Sequence, residues 1–84
     1  MGERVTERNP KFDKVLKHIK NKNLKIRIWK QISKIIDNPE VGKPMRNVRK
    51  GTREVYITPF RISYAYIESE NKIIFLDLYH KDKQ

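Results

Sequence analysis

The sequence predicts an α+β domain, with two antiparallel N-terminal helices packed on a small antiparallel β-meander. Three observations carry that prediction. Apolar residues recur at helical spacing between positions 9 and 37, β-branched and aromatic residues crowd positions 52–80, and a proline- and glycine-containing loop separates the two zones.

The first helix is read in "NPKFDKVLKHIKN". Asn9 can accept a backbone N–H that the first turn leaves unpaired, and Pro10 suits the first helical position, where its missing N–H is no loss. Phe12, Val15, Leu16 and Ile19 share one face, while Lys11, Lys14, Lys17 and Lys20 occupy the other. A second helix follows over about residues 23–37, with Leu24, Ile28, Ile32, Ile35 and Ile36 as its stripe and Trp29 alongside. Asp37-Asn38-Pro39 ends it, because a residue before proline is pushed out of helical conformation. The short connection "KNKN" folds the helices back on each other.

"PEVGKPMRNVRKG" has no periodicity and reads as a basic loop. After it, "TREVYIT" (52–58), "RISYAYI" (61–67) and "KIIFLDLYH" (72–80) read as strands. Tight turns at Thr58-Pro59-Phe60 and from Glu68 to Asn71 make them a meander. The last strand is apolar on both faces, as a central strand should be. "ERVTER" offers a short additional strand before the first helix. Residues 1–84 make a single domain with no internal repeat.

Charge is distributed unevenly. The formal net charge is +10, and residues 1–50 hold 15 Lys and Arg against 5 Asp and Glu, whereas residues 51–84 hold 5 of each. A merely solvated helix face mixes signs. The unbalanced lysines predict a polyanionic partner, nucleic acid above all. The chain has no cysteine and only two histidines, which excludes a disulfide framework and a conventional structural zinc site, so no cofactor is called for. No run approaches the ~18 apolar residues of a membrane span, and the N-terminus lacks a signal-peptide core. The expected location is the cytoplasm.

Strong enzyme motifs are missing: there is no glycine-rich phosphate loop, Ser/Cys–His–Asp set or paired acid constellation. Asp77, which interrupts "IIFLDLY", reads as a strand-end carboxylate paired with a basic neighbour. Tyr64 and Tyr66 read as packing residues with polar tips. In the meander, Arg61, Tyr56, Tyr79, His80 and Lys81 are expected around one edge, with Arg53 further along. Such a set suits RNA cleavage without a metal. A base removes the 2′-OH proton, an acid protonates the 5′-oxygen, and cations stabilise the charge that develops on phosphorus. His80 is the candidate acid or base, Arg61 the bidentate phosphate holder and Tyr79 the group that orients or stacks a nucleotide. Arg46, Arg49, Lys50, Arg53, Lys81 and Lys83 are the candidate RNA-binding cations.

Three segments, "NPEVGKPMRNV", "FRISYAY" and "KIIFLDLYHKDKQ", carry a resemblance. With the element order around them, the chain resembles the RelE/ParE superfamily of toxins from type II toxin–antitoxin pairs, most of all its archaeal RelE members. The resemblance covers nearly the whole length. It implies a ribosome-dependent mRNA endonuclease acting in the A site by metal-independent 2′-OH attack. Its partners would be the ribosome, mRNA and a wrapping RelB-like antitoxin, in a heterodimer or heterotetramer. Arg61 matches the family's phosphate-holding strand arginine, and Arg46 matches a basic loop position more loosely. The lysines that some RelE proteins carry on the first meander strand have no counterpart, since that strand offers Arg53, Glu54 and Tyr56. The terminal arginine and later tyrosine of those proteins are also missing. "YHKDK" is similar instead to relatives with a Tyr-His ending, where histidine moves protons. A ParE-like gyrase poison and a non-catalytic basic RNA- or ribosome-binding module remain the alternatives.

Overall fold

The computed structural model describes residues 4–45 and 51–83. Arg46, Arg49 and Lys50 lie outside the described residues. In chain order the elements are β1 (Val5–Arg8), α1 (Pro10–His18), α2 (Lys22–Asp37), β2 (Lys43–Pro44), β3 (Thr52–Ile57), β4 (Phe60–Ile67) and β5 (Lys72–His80). Short 3₁₀ turns follow β4 at Glu68–Glu70 and β5 at Lys81–Lys83. No described helix is long and apolar enough to cross a membrane.

Both helices begin where local chemistry places them. The Asn9 side chain accepts the Lys11 N–H at 2.9 Å, and Asn21 does the same for Leu24 at 3.0 Å. Phe12 and Leu16 of α1 and Ile28, Ile32 and Ile35 of α2 are the residues those helices bury. They meet Ile57, Ile62, Tyr64, Ile73, Phe75 and Leu78 of the sheet in one core. Phe75 is its hinge-point, with its ring 5.4 Å from Phe12 and 6.3 Å from Tyr64. That core explains why Lys14, Lys17 and Lys20 are left exposed.

The sheet runs β1-β5-β4-β3-β2. The β3–β4–β5 meander is antiparallel, as its tight turns require, and β5 is internal. Two features differ from the expected antiparallel sheet. β1 pairs with β5 in parallel, so the sheet is mixed; no tight turn joins these two strands, and nothing local dictates their direction. β2 adds a two-residue edge strand opposite Arg53 and Glu54, too short to leave a period in the sequence.

Alternation assigns the two faces. Phe60, Ile62, Tyr64 and Tyr66 of β4 face the helices, with Val55 and Ile57 beside them on β3. Arg61, Ser63 and Ala65 take the opposite face, which carries no helix among the described residues. On β5 the alternation is interrupted. Ser63 pairs with Asp77 but Tyr64 pairs with Phe75, so Leu76 is an extra residue, a β-bulge. Phase reverses there. Ile73 and Phe75 face the helices before the bulge, and Leu78 and His80 face them after it.

A buried tether fixes the chain between α2 and β2. The Tyr64 hydroxyl donates to the Pro39 carbonyl at 2.7 Å and accepts the Gly42 N–H at 2.9 Å. Arg53 adds two hydrogen bonds from its guanidinium, to the Glu40 carbonyl at 3.0 Å and the Gly42 carbonyl at 2.8 Å. Tyr64 is thus a packing residue whose polar tip holds a loop.

Candidate active site

The open face of the sheet gathers three side chains around Arg61. Tyr56, Arg61 and Tyr79 are register partners across β3, β4 and β5, and alternation puts Glu54 on the same face two residues before Tyr56. Arg61 Nη2 donates to the Tyr56 hydroxyl at 3.1 Å, and its guanidinium carbon lies 4.6 Å from the Tyr56 ring centre. Arg61 Nη1 stands 3.7 Å from Glu54 Oε1. The Tyr79 hydroxyl donates to Glu54 Oε2. The Glu54 side chain is only 15 % exposed, whereas Tyr56 is 51 % exposed, so the carboxylate is sheltered while the site's rim stays open.

These contacts set the charges. The hydrogen bond that Arg61 donates to Tyr56 leads the influences that raise the Arg61 pKa, with Tyr79 and Glu54 adding to it against partial desolvation, so the guanidinium stays cationic. Burial, followed by the bond to Glu54, raises the Tyr79 pKa, with Arg61 opposing. Tyr79 therefore keeps its proton around neutral pH. Beneath the cluster, Arg61 Nε and Ser63 Oγ are buried with no hydrogen-bond partner among the described residues. The cluster supplies a fixed cation, a sheltered carboxylate and a protonated phenol side by side.

His80 is not among them. The bulge at Leu76 puts it on the helix face, where it pairs with Phe60 and its ring meets that of Phe60 edge-on at 5.5 Å. Its Nδ1 accepts the Asp82 N–H at 3.2 Å and lies 3.7 Å from the Asp82 carboxylate. The expectation that His80 joins Arg61 is corrected by this one-residue phase change. Arg53 is also on the helix face, opposite Tyr64 in the register, and its guanidinium is engaged by the 40–42 backbone. Lys81 is exposed just beyond β5, with its N–H on the Pro59 carbonyl at 2.9 Å. Lys83 lies in the same 3₁₀ turn. Asp77 sits by the bulge, 13 % exposed at its side chain, 3.2 Å from Lys11 Nζ and accepting the Leu78 N–H at 2.9 Å. It is the ion-paired carboxylate the sequence predicts.

Glu54 escaped the sequence reading as a site residue, although one signal was present. In "TREVYIT", strand alternation ties Glu54 to Tyr56, and the tight turn sets Tyr56 opposite Arg61.

The comparisons with known proteins agree with this architecture. Residues 7–84 match the family model described as the ParE toxin of type II toxin–antitoxin systems, parDE. No curated protein matches the chain by sequence. Among solved structures, a chain of the intact Escherichia coli RelBE toxin–antitoxin complex superposes with a TM-score of 0.78 at 8 % identity, covering 92 % of this chain and 95 % of that one. A chain of the Mycobacterium tuberculosis RelBE2 complex gives 0.78 at 18 % identity over 94 % and 99 %. The archaeal RelE–RelB complex of Pyrococcus horikoshii gives 0.76 at 13 % identity over 99 % and 100 %.

Proposed function

The chain belongs to the ParE toxin family of type II toxin–antitoxin systems, and from that premise we propose that it is a ribosome-dependent mRNA endonuclease. One observation carries this reading: Arg61, Glu54 and Tyr79 stand together on an open sheet face, edged by an exposed tyrosine. A phosphodiester needs a fork of N–H donors for its anionic oxygens, and Arg61 provides one with its charge secured by Tyr56. Tyr56 offers a half-exposed ring on which a nucleotide base can stack. The 2′-hydroxyl attacks the adjacent phosphorus, and the reaction needs no metal.

The helix lysines fit the same target. They lie away from the cluster, so ribosomal RNA can be held by the helices while mRNA enters over the open face. Such a division leaves alignment of the scissile bond to the ribosome, which supplies much of the catalytic advantage. The cytoplasm is the matching location. A RelB-like antitoxin is the natural inhibitor, since the structural neighbours are toxins seen in RelB–RelE complexes.

The test uses ribosomes stalled on a defined codon, with cuts mapped by primer extension for the wild type and Arg61→Ala. A cut in the A-site codon that requires ribosomes and is lost in Arg61→Ala supports the reading. Ribosome binding without a cut would leave a non-catalytic module. A second reading is the gyrase poison that the resemblance to ParE-like toxins implies, and the match to the ParE toxin model favours it. It predicts gyrase-linked DNA breaks that persist in Arg61→Ala.

A further inference from the structure

We propose that Glu54 and Tyr79 form a closed proton relay, with Glu54 as general base and Tyr79 as general acid. The proposal rests on the nuclease reading and assigns its proton transfers.

Two of its parts are fixed by position. Glu54 is held on β3 and Tyr79 on β5, on either side of Arg61 on β4, and the Tyr79 hydroxyl donates to Glu54 Oε2. A phosphate gripped by Arg61 therefore lies next to both groups. Glu54 is the carboxylate of the cluster and Tyr79 its proton-bearing phenol. Burial and Glu54 keep that phenol protonated, which suits an acid and not a base. His80 faces the other side of the sheet, so it does not compete.

The step balances within the pair. The 2′-oxygen forms a bond to phosphorus as its proton passes to a Glu54 carboxylate oxygen. The bond from phosphorus to the 5′-oxygen breaks, and that oxygen takes the Tyr79 proton. Tyr79, now a phenolate, recovers a proton from Glu54 through the hydrogen bond that already joins them. The products are a 2′,3′-cyclic phosphate and a 5′-hydroxyl. The enzyme returns to its starting state with no water or cofactor consumed, and Arg61 carries the charge on the non-bridging oxygens throughout.

The experiment measures single-turnover cleavage on stalled ribosomes with two mRNAs, one natural and one with sulfur replacing the bridging 5′-oxygen at the cut site. A thiolate leaves without being protonated, so it removes the need for an acid. Wild type, Tyr79→Phe, Glu54→Gln and His80→Ala are compared, with folding checked by circular dichroism; the tyrosine and glutamate changes preserve shape. Tyr79→Phe is expected to lose about 100-fold or more on natural mRNA and to recover most of it on the sulfur-linked mRNA. Glu54→Gln should be slow on both, and His80→Ala should match the wild type. The relay is overturned if Tyr79→Phe cuts natural mRNA at the wild-type rate, or if sulfur rescues His80→Ala instead. In either case wild-type cutting would leave the nuclease reading intact, whereas no wild-type cut would remove both.

Discussion

Replacing Tyr64 by phenylalanine isolates the tether between the sheet and the segment that leads to the basic loop. The change removes one oxygen and leaves the ring, which is fully buried and packed near Phe75. It deprives two backbone groups of their partner, the Pro39 carbonyl at 2.7 Å and the Gly42 N–H at 2.9 Å. Each buried group left unpaired costs about 1–3 kcal/mol, so the variant should lose roughly 2–6 kcal/mol. For a domain of this size, each kcal/mol lowers the melting temperature by about 4–8 °C, which predicts a fall of at least ~8 °C. Urea unfolding and thermal melting of the purified chain both measure it. The tyrosine also leaves a pH trace. Burial, its leading influence, raises the Tyr64 pKa, so the folded state holds the proton more tightly. Its contribution is complete below the ordinary tyrosine value of about 10 and is lost as pH rises through the higher folded value. Tyr64→Phe should therefore flatten part of the alkaline fall in stability, the rest belonging to Tyr79, whose shift has the same sign. A loss under ~0.5 kcal/mol with an unchanged alkaline profile would refute the tether, because an unsatisfied buried pair costs more than that.

The remaining predictions concern the same tether and the two charged faces. A Cβ added at Gly42 would stand 2.5 Å from the Tyr64 hydroxyl, so Gly42→Ala should destabilise the wild type; in the Tyr64→Phe background the penalty should shrink without vanishing, since a ring carbon remains at 2.8 Å. Denaturant melts of the four proteins in that cycle decide it. Arg61→Lys keeps the charge but loses the planar fork, and cleavage on stalled ribosomes should fall by about 100-fold. Converting the exposed Lys14 and Lys17 to glutamine should reduce the salt dependence of ribosome binding by roughly 0.7–0.9 log units per lost phosphate contact. An unchanged slope in binding titrations would remove the helices from the interface. Asp77→Asn should cost under about 1 kcal/mol, because its partner Lys11 is largely exposed while the amide can still accept the Leu78 N–H.

Elements with strong local signals were legible in the sequence. Asn9 and Pro10 start α1, Asn38-Pro39 closes α2, and the tight turn before Phe60 makes β3 and β4 neighbours. Arg61 and Tyr79 could be brought together because adjacent meander strands must align their ends. What stayed hidden depends on pairing between distant residues. The bulge at Leu76 has no distinguishing residue type, so alternation alone could not say whether Tyr79 or His80 shares a face with Arg61. Arg53 looked like an RNA contact because its charge is visible in the sequence and its carbonyl partners are not. Glu54 looked like an ordinary strand residue for the converse reason, since its importance comes from what crosses over from β5.

The extra residue in β5 also bears on how such toxins diversify. Substitution is the usual route to a new reactive group, one side chain at a time. Here the tyrosine and the histidine are adjacent in sequence, and strand phase alone decides which of them meets the arginine. Deleting Leu76 would keep Tyr79 opposite Arg61, whereas taking Leu76 into the pairing, with Phe75 still opposite Tyr64, would turn Tyr79 toward the helices and His80 to the face of Arg61, with no residue altered. Gain or loss of the bulge can thus exchange a phenol for an imidazole on the reacting face without an insertion or a deletion. A column-by-column alignment would show no difference at all and miss the swap in chemistry.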